Sequence, residues 1–327
     1  MSSFPTLHSH ICFVLLSSIF FLSCKKDLGG EVALVEKNSD KGFNYPYYLF
    51  IPDDLSAEQE KYLVVEPNNS GVVTDDFQEH IDRAKSNASR DYFLGNYTAR
   101  KLGYPLLVPV FPRAKSTSQM YTHSLDRDVM LQKENELERI DLQLLAMVED
   151  AKVRLQQKGI SIAPEFLLTG FSASGSFVNR FTLIHPNAVK AVAAGGVNSI
   201  LMLPFSEEKE QLLTYPAGTK DYSQIFGKSF DSIAFKNTPQ YYFMGEQDDN
   251  DALPYSDAFD ESERRAIEIV LGKEMMPGRW QTAKELYSRE GVKAEIKTYG
   301  EIGHEHPEQV KQEIVAFFEN AIRNTNF

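Results

Sequence analysis

The sequence predicts an α/β fold with a mostly parallel central sheet and helices on both faces, and three observations carry that prediction. The chain has 327 residues, of which 42% are hydrophobic and 24% are charged, so it is long and apolar enough to bury a sizeable core. Short β-rich runs alternate with segments of helical periodicity, which is the pattern of parallel strands joined by helices. No internal repeat is visible, so this alternation is the organising pattern of the chain.

The β-rich runs are short, and turn residues bound most of them. Because continuous apolar runs of this length are typical of strands that are buried on both faces, they predict the strands of the sheet. The runs lie at Tyr47–Ile51, Tyr62–Val65, Tyr104–Phe111, Phe166–Leu168, Val189–Ala194, Tyr241–Met244 and Ala294–Tyr299.

Three segments have the apolar spacing of amphipathic helices, namely 137–155, 177–184 and 307–322. Pro186 must end the second of them within a residue or two. The region from Ser199 to Gln240 differs, because it is rich in turn residues and aromatics and lies between two predicted strands. A connection of that length is either a lid or substrate-binding insertion or an ordinary surface excursion.

The N-terminus has the features of an export signal. The apolar run Ile11–Leu22 is too short to span a bilayer comfortably as a helix, but its length suits the hydrophobic region of a signal peptide. Ser23 and Cys24 follow it, which resembles the bacterial lipobox, in which the cysteine is acylated and becomes the first residue. We therefore expect a signal peptide over 1–23, a lipidated Cys24 with a tether over 24–41, and a folded domain over 42–327.

An uncleaved signal anchor is the alternative, since residues 1–23 contain no Lys or Arg. Either way the protein is expected to be exported and membrane-anchored, at the periplasmic face or the cell surface. Cys12 and Cys24 are the only cysteines, so the folded body contains no disulfide and no cysteine-ligated metal site. The net charge of −12 argues against nucleic acid as a partner.

The most informative segment is Gly170-Phe171-Ser172-Ala173-Ser174, where an apolar strand runs into small residues and a helix begins at once. A nucleophile on such a sharp turn adopts strained backbone angles, and small neighbours let the strand and the helix approach each other. The Ser172 hydroxyl would be exposed at the carboxyl edge of the sheet, with the Ala173 N–H directed at a developing oxyanion. The alternative is that Ser172 or Ser174 only caps the helix.

From about Tyr47 to the terminal helix, this layout resembles the α/β-hydrolase superfamily, and most closely its esterase and polyhydroxybutyrate-depolymerase-like branch. The G-x-S-x-G elbow of that family corresponds to residues 170–174, although Ser174 stands in place of the last glycine and Gly175 follows it. The resemblance implies an α/β-hydrolase fold, a serine nucleophile, a carboxylate after a later strand and a histidine after the last strand.

Both residues are present in the required chain order. Gly245 closes a predicted strand, and the family's usual spacing of three residues selects Asp248 as the acid, with Asp251 as the alternative acid. A solvated acidic turn is the other interpretation of this loop. His304 follows a glycine after the last strand and is the expected base, whereas His306 is expected at the start of the terminal helix.

Two further sets of residues are candidates for the site. The family's second oxyanion donor comes from the loop after the third strand, which here contains Asn68 and Asn69, and a plain turn is the alternative. His123, Asp126 and Arg127 lie in a polar loop ahead of the long helix that leads to the nucleophile strand. They either line the substrate cleft or are simply solvated.

Together these residues predict an exported serine hydrolase that cleaves a small-molecule or polymer ester. The expected chemistry is a triad of Ser172, His304 and Asp248 with an acyl-enzyme intermediate, without a cofactor or a metal. A catalytically silent surface lipoprotein that binds a glycan or a protein partner is one alternative. A serine peptidase on the same fold is another.

Overall fold

The computed structural model describes Met1 and residues 29–58, 60–69 and 71–324. Beyond Met1, the expected signal peptide and the expected lipidation site Cys24 lie outside the described residues. Within the described ranges, no helix is long and apolar enough to cross a membrane.

The central sheet is mixed and mostly parallel. In chain order, the strands of the described residues are β1 Gly30–Val35, β2 Tyr47–Pro52, β3 Lys61–Val65, β4 Leu106–Pro109, β5 Ile162–Phe171, β6 Val189–Gly195, β7 Glu207–Glu208, β8 Gln211–Leu212, β9 Gln240–Gly245 and β10 Ala294–Tyr299. The sheet has the order β1–β2–β4–β3–β5–β6–β9–β10, and β7 and β8 form a separate hairpin. Within the eight-stranded sheet of the described residues, only the pairings of β2 with β1 and with β4 are antiparallel. Each predicted run is a strand of this sheet, so the prediction is confirmed.

Helices cover both faces of the sheet. They are α1 Phe77–Ser89, α2 Leu94–Leu102, α3 Arg127–Met130, α4 Ile140–Gln157, α5 Ala173–Ile184, α6 Tyr222–Phe226, α7 Ser232–Asn237, α8 Glu261–Val270, α9 Trp280–Arg289 and α10 Glu308–Arg323. The apolar residues of α1, α2 and α10 form one core, and those of α4, α5, α8 and α9 form the other. The predicted helices correspond to α4, α5 and α10, which confirms the α/β class.

Alternate residues of the central strands belong to the two cores. In β5, Phe166 and Leu168 join one core and Leu167 joins the other. Tyr242 and Tyr241 in β9 divide in the same way. Because successive side chains of a strand point to opposite faces, only a continuous apolar run satisfies a sheet that is covered on both sides.

The edge strand β1 lies within the segment that was expected to be a tether. Residues 24–41 are expected to be a tether, but from Gly30 to Val35 the chain pairs along its whole length with β2. Most side chains of β1 are only partly buried, so this run lacks the continuous apolar character of the central strands. The folded domain therefore begins at Gly30 rather than at residue 42.

The region 199–240 is part of the domain core. Besides the β7–β8 hairpin it contains α6 and α7, and its aromatic residues Tyr215, Tyr222 and Phe235 are buried. The Tyr222 hydroxyl donates to the carbonyl oxygen of Ile184 at the end of α5, at 3.1 Å. The aromatic side chains that distinguish this region in the sequence are therefore core residues, and they anchor the region beside α5; a lid over the site, one of its two interpretations, stays a prediction.

Glu66, the residue after β3, is a buried carboxyl. Its side chain is 2% exposed, and its Oε2 accepts the N–H of Gly95 in the first turn of α2 at 2.9 Å. Burial raises the pKa of Glu66 to about 8. The folded protein therefore keeps a proton on this carboxyl at pH values where the unfolded chain has released it.

We predict that Glu66→Gln removes part of the pH dependence of stability. In the wild type, the protonated carboxyl contributes stability that is lost as the pH rises from about 5 through 8, because the unfolded chain releases the proton first. The free energy of unfolding of the variant, relative to the wild type, should increase by roughly 3 to 4 kcal/mol between pH 5 and pH 8. Denaturant titrations of both proteins at the two pH values measure this, and a difference that does not change with pH would contradict it.

Candidate active site

Ser172 occupies a sharp turn between β5 and α5. Its backbone angles are φ 61° and ψ −126°, a region that residues with a side chain rarely adopt and that stores strain. The Ser172 N–H donates to the carbonyl oxygen of Gly195, at the end of β6, at 2.9 Å. The neighbouring strand therefore holds this turn in place at the carboxyl edge of the sheet.

Close backbone packing explains the small residues around Ser172. A Cβ atom at Gly170 would lie 2.5 Å from the carbonyl oxygen of Ser174, and one at Gly175 would lie 2.5 Å from that of Gly195. Ser174 replaces a glycine of the family motif, and its hydroxyl both donates to the Phe171 oxygen at 2.9 Å and accepts the Phe171 N–H at 3.0 Å. The departure from the motif thus adds a clamp across the turn.

Helix capping does not account for the serine at this turn. The Ser172 side chain makes no cap hydrogen bond to the first turn of α5. The Ser174 hydroxyl is bonded to Phe171, in the strand that precedes the helix. The interpretation of either residue as a plain helix cap is therefore wrong.

Asp248 and His304 are in direct contact. The loops after β9 and β10 bring His304 Nδ1 to 2.9 Å from Asp248 Oδ2. The other oxygen of Asp248 accepts the N–H of Asn250 at 3.0 Å, and the side chain is 4% exposed. Asp251 instead forms an ion pair with Arg279, whose guanidinium is buried, at 2.5 Å. Of the two candidate acids, the structure brings only Asp248 to the histidine.

The second nitrogen of His304 has an amide partner. Asn250 Nδ2 lies 3.2 Å from His304 Nε2, so Nε2 accepts and Nδ1 carries the proton that Asp248 binds. Among the described residues, Ser172 makes no hydrogen bond to this ring. His304 nevertheless lies beside the turn, because its ring centre is 4.7 Å from that of Phe171.

The loop after β3 contacts the turn through Asn69 and not through Asn68. Asn68 is buried, and its side chain bonds both the N–H and the carbonyl oxygen of Phe111, at 3.0 and 2.9 Å. Asn68 therefore joins the loop after β3 to the segment after β4, and its amide is not available as an oxyanion donor. Asn69 Nδ2 donates to the Phe171 oxygen at 3.1 Å. Ser70, in the same loop, lies outside the described residues.

A cavity of about 330 Å³ opens beside Ser172. Ser172, Ala173, Ser176 and Arg180 form the α5 side, and the segment 250–259 after β9 supplies much of the opposite side. From the region 199–240, only Ile200 reaches it. Within the described ranges, no cluster of three or more His, Cys, Asp or Glu side chains is arranged to hold a metal ion.

The expected cleft residues His123, Asp126 and Arg127 do not line this cavity. His123 is fully buried 2.9 Å from the Phe111 oxygen, and burial lowers the pKa of its ring to about 3. Asp126 caps α3 by accepting the N–H of Val129, and burial raises the pKa of Asp126 to about 7. Arg127 is ion-paired with Asp221 at 2.6 Å. These contacts tie the loop to the domain, with His123 and Asp126 buried and Arg127 partly buried.

Residues that the sequence interpretation missed complete the cavity wall. Tyr121 and Ser124 come from the loop that contains His123, and Arg180 comes from α5. Arg180 follows Ser172 and Ser176 at a spacing of four residues, which places all three along one side of a helix. That spacing was visible in the sequence, whereas the approach of Tyr121 depends on contacts between distant segments.

Two solved structures share this architecture. The poly(aspartic acid) hydrolase-1 from Sphingomonas sp. KT-1 is 16% identical, with a TM-score of 0.51 over 89% of this chain and 97% of the hydrolase. The poly(3-hydroxybutyrate) depolymerase LpqC from Bordetella parapertussis is 17% identical, with a TM-score of 0.54 over 90% of each chain. The chain has the α/β-hydrolase fold. No family model and no curated protein matches the sequence.

The positive φ of Ser172 makes a direct prediction about stability. We predict that Ser172→Gly is more stable than Ser172→Ala by about 1 kcal/mol, because glycine adopts a positive φ without steric strain. The matched control is Ser176 inside α5, where Ser176→Gly should instead be less stable than Ser176→Ala by about 1 kcal/mol. Thermal and denaturant unfolding measure these differences. If Ser172→Gly were less stable than Ser172→Ala, the turn would not be strained.

Proposed function

We propose that the protein is a serine hydrolase that cleaves a carboxylic ester through an acyl-enzyme intermediate. The observation that carries this proposal is the strained Ser172 at the carboxyl edge of the sheet, beside the hydrogen-bonded pair of Asp248 and His304. Backbone strain of this kind persists where the surrounding structure enforces it, and it exposes a nucleophile. The two solved structures described above are named as a poly(aspartic acid) hydrolase and a poly(3-hydroxybutyrate) depolymerase.

In the proposed reaction, His304 Nε2 removes the proton from the Ser172 hydroxyl as its oxygen attacks the acyl carbon. The Asn250 amide, which occupies Nε2, must move aside for this step. Asp248 keeps the other ring proton on Nδ1 and stabilises the imidazolium that forms. The Ala173 N–H donates to the oxyanion. His304 then protonates the leaving alcohol, and water releases the acid from Ser172 by the same steps in reverse order.

An ester is favoured over the alternatives for two reasons. The cavity beside Ser172 is small and is lined by residues of the segment 250–259, which suits an acyl group better than an extended peptide. The site also has a full set of nucleophile, base and acid, which a silent glycan- or protein-binding lipoprotein does not need. The poly(3-hydroxybutyrate) depolymerase on this fold supports the same choice.

We predict that Ser172→Ala and His304→Ala each lower kcat for p-nitrophenyl butyrate by at least about 10³-fold, because nucleophile and base act as one unit. Ser176→Ala is the control, since Ser176 lines the cavity without a role in the proposed chemistry. Circular dichroism checks that the variants are folded. Residual activity in Ser172→Ala comparable to the wild type would refute the proposal.

Substitutions of Asp248 and Asp251 should affect different quantities, activity for Asp248 and stability for Asp251. Asp248→Asn should lower kcat by roughly 10²- to 10⁴-fold with little change in stability, because His304 loses the partner that fixes its tautomer. Asp251→Asn should instead lower the free energy of unfolding by about 3 kcal/mol, since buried Arg279 loses its ion pair. Kinetics and thermal melts on both variants test this. The reverse pattern would move the acid to Asp251.

We also propose that the protein is exported and held at a membrane by a lipid on Cys24. The apolar run before Cys24 and the small residue next to it support this. Cys24 lies six residues before β1 begins at Gly30, a length of chain that reaches at most roughly 20 Å. The sheet edge would therefore sit close to the membrane. We predict that Cys24→Ser moves the protein from the membrane to the soluble fraction, which fractionation of the expressing cells measures. Retention in the membrane would favour an uncleaved anchor.

A further inference from the structure

We infer that the cavity beside Ser172 binds an acyl group that ends in a carboxylate, and that Arg180 receives this carboxylate. The inference rests on the proposed ester hydrolysis and adds the substrate class. The observation behind it is a single side chain. Arg180 is only 4% exposed, and it lines the cavity from α5, the helix that follows Ser172.

Arg180 differs from the other buried arginines. Arg113 is ion-paired with Asp257 at 2.6 Å, and Arg279 is ion-paired with Asp251 at 2.5 Å. Within the described residues, Arg180 has no carboxylate within 4.0 Å, and its Nη1 donates to the backbone oxygen of Ser124 at 2.8 Å. A buried charge without a counterion is costly unless a ligand supplies one.

The carboxyls that act on Arg180 do not contact its guanidinium. Asp126 and Glu263 both act on Arg180 through space, but neither forms an ion pair with it within 4.0 Å. Asp126 is instead bound by the N–H groups of Tyr121 and Val129. A substrate carboxylate that entered the cavity would therefore be the direct partner of the guanidinium.

The position of Arg180 fits the far end of an acyl chain. The rise of an α-helix places its Cα about 12 Å beyond that of Ser172 along α5, and the side chain of a helical residue leans back toward the N-terminus. Between them the wall includes Val197, Ile200 and Ala252. This arrangement accommodates an apolar chain that is attacked at one end and is anionic at the other.

The acyl side of the ester is the side that occupies the cavity. In the proposed reaction, the leaving alcohol must contact His304, which protonates it. Ser172 and Ala173 line the cavity, whereas His304 does not. The alcohol therefore leaves on the histidine side, and the cavity holds the acid.

The test compares two esters of the same shape and different charge. Mono-p-nitrophenyl adipate ends in a carboxylate, and the p-nitrophenyl ester of adipic acid monoamide ends in a neutral amide. At pH 7 the wild type should prefer the carboxylate in kcat/KM by roughly tenfold or more, the range expected for a hydrogen bond to a charged group. In Arg180→Gln, the ratio of the two kcat/KM values should fall to near one, while the variant still hydrolyses the p-nitrophenyl ester that ends in the amide. Arg180→Lys should keep part of the preference.

Ser176→Ala is the matched control, because Ser176 lines the same cavity on the same helix and carries no charge, so the preference should persist. A wild-type ratio near one, or a preference that survives in Arg180→Gln, overturns the inference. Loss of the preference in Ser176→Ala alone also overturns it. If the wild type hydrolyses neither ester, the proposed function fails instead, so the two failures are distinguishable. The wild-type ratio and Arg180→Lys retain the test if Arg180→Gln does not fold.

Discussion

The site depends on one backbone constraint, the left-handed turn at Ser172 between a buried strand and a buried helix. The hydrogen bond from its N–H to Gly195 holds the turn against β6, and the contacts at Gly170 and Gly175 leave no room for side chains. The strain is maintained because the strand and the helix are both fixed by packing: α5 shares one core with Phe166 and Leu168 of β5, and Leu167 fixes the strand in the other core.

The sheet topology then brings the partners to Ser172. β5, β6, β9 and β10 are parallel neighbours in that order, so their carboxyl ends meet at one edge. Asp248 follows β9 and His304 follows β10, and Gly196 lets the histidine ring approach, since a Cβ atom there would lie 2.8 Å from His304 Cε1. Residues far apart in the sequence are thus assembled by strand order alone.

The sequence predicted best what depends on local pattern and chain order. The central strands are apolar runs, and the turn at Ser172 and the contact of Asp248 with His304 lie where glycines and strand ends predict them. The edge strand β1 was not predicted from the sequence, because its side chains are only partly buried and it lacks a continuous apolar run. Asn68 and His123 were misjudged because both are bound to Phe111, a contact between distant segments that no local pattern reveals. The ion pair of Arg279 with Asp251 is equally invisible in the sequence.

The central claim is that Ser172 is the nucleophile, and covalent labelling tests it most directly. A fluorophosphonate reacts with a serine only where the site activates the hydroxyl. Mass spectrometry of the labelled protein should find one adduct, and peptide mapping should locate it on Ser172. An adduct on Ser174 or Ser176, or no adduct on the folded protein, would contradict the account.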